Sequence, residues 1–389
     1  MKNVAKFNGI MQKGVYKMKI KLYNKIAKCG LTRLPATFQV GEEITDENGI
    51  IVRSADLHDI AFPESLLAIA RAGAGVNNIP IDECAEKGIV VFNTPGANAN
   101  AVKELCVAAL LLTSRKISDA MEWAKTLAGR EDALKVVEKE KSRFAGPEIF
   151  GKTLGVIGLG AIGGGVANAA LSLGMRVLGY DPYASVDAAW ALDSRVEKCD
   201  ELDRIFKECD YISVHVPSLP STRGILGGAN IEKMRDGVRL LNLARADLAV
   251  DEDIKKGLES GKIAAYFTDF PTGNLAGVPG VIATPHLGAS TPEAEDNCAI
   301  MACDQIADYL ENGNIKNSVN MPAVKLGRSM KNRIGIIIKG EADVEALIAG
   351  GNISRGKRGD FTYILSERDA AFDLDKIKSV GGVIRVTSY

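Results

Sequence analysis

The stretch 153-TLGVIGLGAIGGGVANAALSLGMRVLGYD-181 decides how this chain folds. An apolar run of strand length leads into Gly158-x-Gly160-x-x-Gly163, and a second apolar run ends at Asp181. Glycines at these positions allow a tight turn, close approach of the backbone to a pyrophosphate, and close packing of the following helix, whose N-terminus favours negative charge. The spacing therefore predicts a βαβ unit that binds a dinucleotide.

Asp181 indicates which dinucleotide. It ends the second strand, where a carboxylate accepts hydrogen bonds from the adenosine ribose hydroxyls and repels a 2′-phosphate. The sequence thus predicts NAD as the cofactor, in preference to NADP.

Strands and helices alternate beyond this unit. Runs of strand length lie at 153–159, 176–181, 211–217, 238–244, 264–270 and 281–285, and helical patterns lie at 161–173 and 252–260. Unbroken apolar strands alternating with helices indicate a parallel sheet covered on both faces. A long helix is predicted over 103–128. Another is predicted over 290–310, opened by a capping box of Ser290 and Glu293 and closed by Asn312–Gly313.

The two ends of the chain follow other patterns. A second, weaker strand–helix alternation precedes residue 100, and a βαββαβ order after about 330 resembles an ACT-type regulatory domain. Residues 1–17 carry no clear pattern and no apolar signal segment, so we expect a disordered extension.

Composition excludes several classes of protein. A net charge of −1 gives no reason to expect nucleic acid or a membrane surface as partner. The longest apolar run, 107–112, is far too short for a membrane span. Seven cysteines without a CxxC pair suit reduced thiols in the cytoplasm better than disulfides or a metal site.

Arg245 and His286 follow two of the predicted strands. Ligands bind at the carboxyl ends of strands in an open α/β sheet. A guanidinium can hold a carboxylate bidentately, and an imidazole can move a proton. The alternatives are a structural arginine paired with Asp247 or Asp251, and a histidine that is a polar bystander.

Four motifs carry a family resemblance. The segments GKTLGVIGLGAIG, HVPSLPSTRGIL, NLARADLAVDE and TPHLGAST resemble successive motifs of the D-isomer-specific 2-hydroxyacid dehydrogenases. The resemblance covers roughly residues 20–389. It implies an α/β fold in which a Rossmann-type parallel-sheet NAD domain is inserted in a flavodoxin-like substrate domain, with a C-terminal α+β ACT-like domain. The implied limits are 1–100 and 286–328 for the substrate domain, 101–285 for the NAD domain and 329–389 for the tail.

The resemblance also implies functional residues. Arg245 would be the catalytic arginine and His286 the proton donor and acceptor. The implied cofactor contacts are Gly158, Gly160, Ala161, Ile162, Gly163, Asp181, His215, Pro217, Thr222, Ala244, Asp269 and Gly288. The implied substrate contacts are Arg53, Ser54, Gly73, Ala74, Gly75 and Asn100.

Several of these residues have simpler interpretations. Arg53 could be an exposed arginine at the end of a strand, and the glycines at 73 and 75 could merely shape a turn. His215 is expected to line the cofactor cleft without chemistry, and His58 is expected at the surface.

One position departs from the family pattern. The family usually has a glutamate five residues after the aspartate of the strand ending in TDF, and it hydrogen-bonds the catalytic histidine. Counting from Asp269 gives Asn274 in this chain. Asparagine can orient an imidazole but supplies no countercharge, so loss of activity or a different substrate is an open alternative.

The resemblance implies NAD-dependent oxidation of 3-phospho-D-glycerate to 3-phosphohydroxypyruvate at the start of serine synthesis. The alternatives are reduction of another 2-oxo acid, glyoxylate or hydroxypyruvate, and a catalytically poor NAD-sensing binding protein. Expected partners are a small, phosphorylated 2-hydroxy or 2-oxo acid, L-serine as effector at the tail, and further copies of the chain in a homodimer or homotetramer.

Replacing Asp181 with alanine tests the cofactor assignment. The change should relax the preference for NAD over NADP by about 1–3 kcal/mol, because one charge-assisted contact to the ribose is lost. The ratio of kcat/KM for the two cofactors measures it. Equal efficiency with both cofactors in the unaltered protein would refute the assignment.

Overall fold

The computed structural model describes residues 18–389, so the predicted N-terminal extension, 1–17, lies outside the described residues. The described chain divides into two compact units. Unit 1 combines the residues up to Ala97 with Glu295–Tyr389, and unit 2 is Asn98–Ala294. Each unit is described by itself below.

Unit 1 begins with a parallel sheet. Its strands are β1 (Met18–Tyr23), β2 (Phe38–Gly41), β3 (Gly49–Val52), β4 (Ala68–Arg71) and β5 (Val90–Phe92), and its short helices are α1 (Lys28–Leu31) and α2 (Ile81–Glu86). The strand order is β2-β1-β3-β4-β5. This order defines a flavodoxin-like sheet, because the first strand lies between the second and the third. The predicted alternation before residue 100 is confirmed.

Unit 2 is built on a larger parallel sheet. It opens with α3 (Ala99–Ser114), α4 (Ile117–Lys125) and α5 (Ala133–Glu140). The alternating part comprises β6 (Thr153–Ile157), α6 (Ala161–Ser172), β7 (Arg176–Tyr180), α7 (Val186–Trp190), β8 (Glu197–Lys198), α8 (Leu202–Glu208), β9 (Tyr211–Val214), α9 (Gly228–Lys233), β10 (Val238–Asn242), α10 (Asp251–Glu259), β11 (Ile263–Thr268) and β12 (Val281–Ala283).

The sheet of unit 2 has the order β12-β11-β10-β9-β6-β7-β8. Counted from β6, its first six strands follow the Rossmann order 3-2-1-4-5-6. Strand β6 is buried along its whole length, and β9 is buried likewise. This burial is why the central strands read as continuous apolar runs. The predicted fold class, α/β with a Rossmann-type parallel sheet, is confirmed.

The long helix predicted over 103–128 is wrong. Helix α3 ends at Ser114, Arg115 has extended backbone angles (φ −110°, ψ 131°), and α4 begins two residues later. The side chain of Arg239 donates to the carbonyl oxygen of Thr113 at 2.9 Å, and the hydroxyl of Ser114 bonds back to Leu110. The carbonyl that would continue the helix is therefore taken by a distant strand, which the local sequence does not reveal.

The predicted helix over 290–310 is α11 (Pro292–Asn312). Its predicted capping box is wrong, because Thr291 and not Ser290 accepts the helix N–H, from Ala294 at 3.1 Å. The predicted stop is confirmed. Gly313 has φ +71°, where only glycine is unstrained, and its N–H bonds to Tyr309 at 2.8 Å.

The C-terminal tail of unit 1 forms an antiparallel sheet. Its elements are β13 (Asn332–Lys339), α12 (Glu345–Ile348), β14 (Asn352–Arg358), β15 (Phe361–Arg368), α13 (Leu374–Lys378) and β16 (Val383–Ser388). The strand order is β14-β15-β13-β16. The βαββαβ order predicted from the sequence is confirmed, and it is compatible with an ACT-like domain.

The tail sheet shares a hydrophobic core with the parallel sheet of unit 1. Ile337, Tyr363 and Leu365 belong to the same buried cluster as Ile20 and Phe92. This shared core stabilises the tail against the strands that precede residue 97.

A buried ion pair lies where the tail begins. Arg333 Nη1 and Glu367 Oε2 are 3.4 Å apart, and both side chains are completely buried. Glu367 also accepts hydrogen bonds from Ser329 and Asn352, and Arg333 donates to the carbonyl oxygen of Leu326. The two charges thus tie the linker before β13 to strand β15.

Glu367→Ala should destabilise the protein strongly, because the Arg333 charge stays buried without its partner. We expect a loss of about 3–5 kcal/mol in the free energy of unfolding, measured by urea unfolding followed by circular dichroism. The matched control is Glu345→Ala, which breaks the exposed Arg355–Glu345 pair at 2.8 Å and should cost less than about 1 kcal/mol. Equal losses in the two variants would contradict this interpretation.

Candidate functional site

Polar residues gather at one edge of the sheet in unit 2. Strands β6, β9, β10, β11 and β12 are parallel neighbours, so their carboxyl ends meet at this edge. The residues that follow or end these strands are Gly158, His215, Arg245, Asp269 and His286. The strand order reverses between β6 and β9, and such a point is where open α/β sheets bind ligands.

The glycine turn fits a dinucleotide. Gly158 has φ +92°, and a Cβ there would lie 2.7 Å from the carbonyl oxygen of His215. A Cβ on Gly163 would lie 1.9 Å from the carbonyl oxygen of Gly158, so no other residue fits. A Cβ on Gly160 would meet nothing within 4 Å. Two glycines thus allow close packing, and the third leaves the N-terminus of α6 open to a phosphate group.

Asp181 lies beside this turn. One carboxylate oxygen accepts the N–H of Leu159 at 2.9 Å, and the other accepts the N–H of Tyr183 at 2.9 Å. These bonds hold the carboxylate against the glycine turn. Ala161 and Ile162, two further predicted cofactor contacts, form the first turn of α6.

His215 is held at the end of β9. Its N–H bonds to Ile157 at 2.7 Å, and its Nε2 lies 2.8 Å from the hydroxyl of Ser213. Burial lowers the pKa of His215 to about 4, so the ring is neutral at physiological pH. In the following loop, the Thr222 hydroxyl donates to the carbonyl oxygen of Pro217 at 2.6 Å and closes the turn.

Arg245 is positioned by a buried asparagine that sequence reasoning missed. Asn242 is fully buried, accepts the N–H groups of Ala244 and Arg245 at 3.2 and 3.3 Å, and donates to the Arg245 carbonyl oxygen at 2.8 Å. The backbone therefore turns directly after β10 and leaves the Arg245 side chain exposed. The signal was a polar residue that ends the strand directly after two buried leucines.

Neither neighbouring carboxylate pairs with Arg245. Asp247 pairs with Arg223 at 3.1 Å, and Asp251 accepts the hydroxyl of Thr272 at 2.7 Å. The alternative interpretation of Arg245 as one partner of a local ion pair is therefore wrong.

Asp269 positions the turn that carries His286. Its buried carboxylate accepts three hydrogen bonds, from the hydroxyl of Thr284 at 2.6 Å and from the N–H groups of Leu287 and Gly288 at 2.7 Å each. His286 itself has φ +55°, an uncommon conformation for a residue other than glycine. The three bonds compensate for this conformation.

The imidazole of His286 is exposed at this edge. It packs against the ring of Phe270, with centroids 4.7 Å apart. Within residues 18–389, no side chain hydrogen-bonds the imidazole. Asn274, at the usual glutamate position, is exposed in the loop after β11. Asp269 thus holds the histidine through its backbone, and no carboxylate of residues 18–389 hydrogen-bonds the ring.

Two arginines lie together in unit 1. Arg53 follows β3 and Arg71 ends β4, and Arg71 Nε donates to the carbonyl oxygen of Arg53 at 3.1 Å. A Cβ on Gly73 would lie 2.2 Å from Arg71 Nη1, so the guanidinium lies directly on this glycine. We call Arg53 and Arg71 the arginine corner.

The loop beside the arginine corner presents backbone donors. The carbonyl oxygens of Gly73 and Ala74 are taken by the N–H of Thr94 and the side chain of Asn93, at 3.1 and 2.7 Å. In the part of the chain that the structure describes, the N–H groups of Ala74 and Gly75 donate to no protein acceptor. They are available to an anionic ligand.

The remaining predicted residues lie at separate places. Ser54 donates its N–H to Asn24 at 2.9 Å in unit 1. Asn100 lies in the first turn of α3 in unit 2, where its amide contacts Lys103 and Glu104. His58 is exposed beside Asp56, as predicted. Between residues 18 and 389 no helix could cross a membrane, and no group of three or more potential ligands could hold a metal.

Comparison with known proteins identifies the family. Residues 107–288 match the D-isomer specific 2-hydroxyacid dehydrogenase family, NAD binding domain. The hydroxypyruvate reductase of Thermotoga maritima is 40% identical over 275 residues, covering 68% of this chain and 85% of that protein. This chain belongs to the D-isomer-specific 2-hydroxyacid dehydrogenase family.

Several relatives carry a narrower name. The D-3-phosphoglycerate dehydrogenase of Methanocaldococcus jannaschii is 35% identical over 337 residues, covering 81% of this chain and 62% of that protein. The chain spans just over half of the corresponding Archaeoglobus fulgidus protein. Among solved structures, NAD⁺-bound 3-phosphoglycerate dehydrogenase of Entamoeba histolytica superimposes with a TM-score of 0.58 at 27% identity, covering 78% of this chain and 98% of that one.

The prediction of NAD as cofactor is confirmed by the family match, since residues 107–288 are the family's NAD binding domain. The glycine turn of unit 2 lies within this range, and its geometry fits the group independently of the match.

His215→Asn should reduce the loss in the free energy of unfolding as the pH falls from 6.5 to 4. The pKa of His215 is depressed to about 4 in the folded protein and is about 6.5 when unfolded, so the unfolded state binds the proton first as the pH falls. His215 therefore lowers the free energy of unfolding by about 3 kcal/mol between pH 6.5 and 4. Urea unfolding across this range measures the loss, with His58→Asn as the exposed control. An unchanged profile in His215→Asn would mean that the ring is solvated.

Proposed function

We propose that this protein is an NAD-dependent D-2-hydroxyacid dehydrogenase that oxidises 3-phospho-D-glycerate to 3-phosphohydroxypyruvate, the entry to serine synthesis. The observation that carries the substrate is the arginine corner. Two guanidiniums beside unpaired backbone N–H groups suit a small molecule with two anionic ends. The names of several relatives support the same substrate.

NAD, when bound, accepts the hydride from C2 of the substrate. The turn from Gly158 to Gly163 and the N-terminus of α6 would hold its pyrophosphate. Asp181 would accept hydrogen bonds from the ribose hydroxyls, for which its oxygens have further lone pairs. The neutral ring of His215 would line the cofactor without exchanging protons.

Arg245 would bind and polarise the reacting end of the substrate. Its side chain is exposed at the carboxyl edge, and its two nearest acidic neighbours in sequence are occupied elsewhere. A guanidinium can hold the carboxylate and the C2 oxygen with parallel N–H bonds, which stabilises the charge on the 2-oxo acid.

His286 would take the proton from the C2 hydroxyl during oxidation and return it during reduction. Its ring is solvent-accessible, and Asp269 fixes its backbone. Among residues 18–389, no carboxylate hydrogen-bonds the ring, so in the proposed enzyme the backbone contacts of Asp269 would position His286 in place of a charged partner.

Unit 1 would recognise the anionic ends. The N–H groups of Ala74 and Gly75 would bind the carboxylate, and the arginine corner would bind the phosphate. Arg53 and Arg71 present charge-assisted donors, which hold phosphate more strongly than neutral donors do.

Reduction of hydroxypyruvate or glyoxylate is the second candidate. The Thermotoga maritima relative named hydroxypyruvate reductase is covered over 85% of its length. Glu295 also pairs with Arg53 at 2.6 Å, which weakens the attraction between the arginine corner and a phosphate. A panel of phosphorylated and unphosphorylated 2-hydroxy and 2-oxo acids, assayed with NAD(H), separates the two candidates. NAD binding without turnover of any of them would instead support the NAD-sensing protein.

The tail and the assembly belong to the same proposal. Residues 329–389 would act as an ACT-like regulatory domain that takes L-serine, beside an NAD domain at 101–285 and substrate-domain parts at 1–100 and 286–328. The chain would work in the cytoplasm as a homodimer or homotetramer. Inhibition by L-serine and the mass in solution test these points directly.

Arg245→Lys should retain NAD binding and lose turnover by about 10- to 100-fold, because an ammonium cannot reproduce the bidentate fork. Steady-state kinetics and a fluorescence titration with NADH measure the two quantities. The control is Arg235→Lys, since Arg235 pairs with Asp210 at 3.2 Å away from the carboxyl edge. Near-normal kcat/KM in Arg245→Lys would reduce Arg245 to a structural residue.

A further inference from the structure

A carboxylate lies against the arginine corner. Glu295, in the first turn of α11, accepts a hydrogen bond from Arg53 Nη2 at 2.6 Å. The backbone of Arg53 is also held, because its carbonyl oxygen accepts a hydrogen bond from the Nε of Arg71. The side chains of Arg53 and Glu295 are 41% and 43% exposed, so a ligand from solvent can reach both.

The charges of Arg53, Arg71 and Glu295 all act on one buried thiol, that of Cys298. Cys298 follows Glu295 by one helical turn, and burial is the largest cause of its raised pKa. Arg71 and Arg53 act against this rise, whereas Glu295 adds to it. All three charges therefore act on one small region of unit 1.

We propose that Glu295 is a specificity-determining residue, which competes with the terminal anion of the substrate for Arg53. The inference rests on the proposed function, in which the arginine corner binds a phosphate. With Glu295 ionised, a neighbouring carboxylate compensates the charge of Arg53. A phosphate ester carries nearly two negative charges at neutral pH, so it must displace Glu295 from Arg53 and bind beside it.

The strength of the Arg53–Glu295 pair decides whether Glu295 prevents the phosphorylated substrate from binding or only weakens its binding. An exposed arginine–carboxylate pair is worth less than about 1 kcal/mol, so a phosphate can displace it. Glu295 therefore does not exclude phosphorylated substrates. It lowers their advantage over substrates that end in a hydroxyl, which gain little from the charge of Arg53.

Glu295→Gln tests the competition, since it retains the shape and an acceptor oxygen but removes the charge. We expect the ratio of kcat/KM for 3-phosphoglycerate to that for glycerate to rise by roughly two- to fivefold, mainly through a lower KM for the phosphorylated substrate. That KM should also rise more steeply with salt than in the unaltered enzyme, because the corner is more positive.

The matched control is Asp304→Asn. It removes a carboxylate from another arginine pair of α11, Arg33–Asp304 at 2.8 Å, and should leave the substrate ratio unchanged. A ratio in Glu295→Gln that equals the control would overturn the inference. A higher KM for the phosphorylated substrate would also overturn it, because Glu295 would then be needed to position Arg53.

A binding measurement separates this inference from the proposed function. Inorganic phosphate, titrated calorimetrically, should bind Glu295→Gln roughly two- to fivefold more tightly than the unaltered protein. If the unaltered protein turns over no phosphorylated acid but this difference is present, the proposed function fails and the competition stands. If the unaltered protein oxidises 3-phosphoglycerate but both proteins bind phosphate equally tightly, the proposed function stands and the competition fails.

Discussion

The contact between Gly163 and the carbonyl oxygen of Gly158 is the constraint on which unit 2 depends. There is no room for a Cβ at this point, so helix α6 can approach β6 this closely only because residue 163 is glycine. The approach places the helix N-terminus where the strand order reverses, between β6 and β9. The other strands extend the sheet from this centre, and their carboxyl ends all reach the same edge.

Buried polar side chains then shape that edge. Asn242 and Asp269 each end a strand inside the protein, where an unpaired polar group would be costly. Each uses its hydrogen bonds on the backbone of a turn at the carboxyl edge, the turn of Arg245 in one case and that of His286 in the other. The side chains of Arg245 and His286 stay exposed, while the residues beneath them fix the backbone of their turns. The turn of His286 is therefore held by Asp269 and not by a carboxylate on its ring.

Unit 1 contributes a cluster of charged side chains. Its flavodoxin-like sheet brings Arg53 and Arg71 to neighbouring strand ends, and α11 adds Glu295 to the same region. The carboxylate of Glu295 offsets the charge of Arg53 in this region, and the relatives of the chain carry different substrate names. The tail sheet shares a core with the parallel sheet of this unit, so the two sheets stabilise each other.

The sequence by itself determined the features that depend on local spacing. The glycine turn, the alternation of strands and helices, and the βαββαβ tail are all set by residues close together in the chain, and the structure confirmed each of them. Asp181 lies beside the glycine turn, and its contact with the ribose stays a prediction. The positions of Arg245 and His286 at strand ends followed from the same patterns. The tertiary structure decided what depends on distant partners. Arg239 ends the helix predicted to continue past Ser114, because it takes a carbonyl oxygen more than a hundred residues away in sequence. The pairing of Arg53 with Glu295 joins residues 242 positions apart, and no periodicity or motif reveals which carboxylate a guanidinium will meet once the chain has folded.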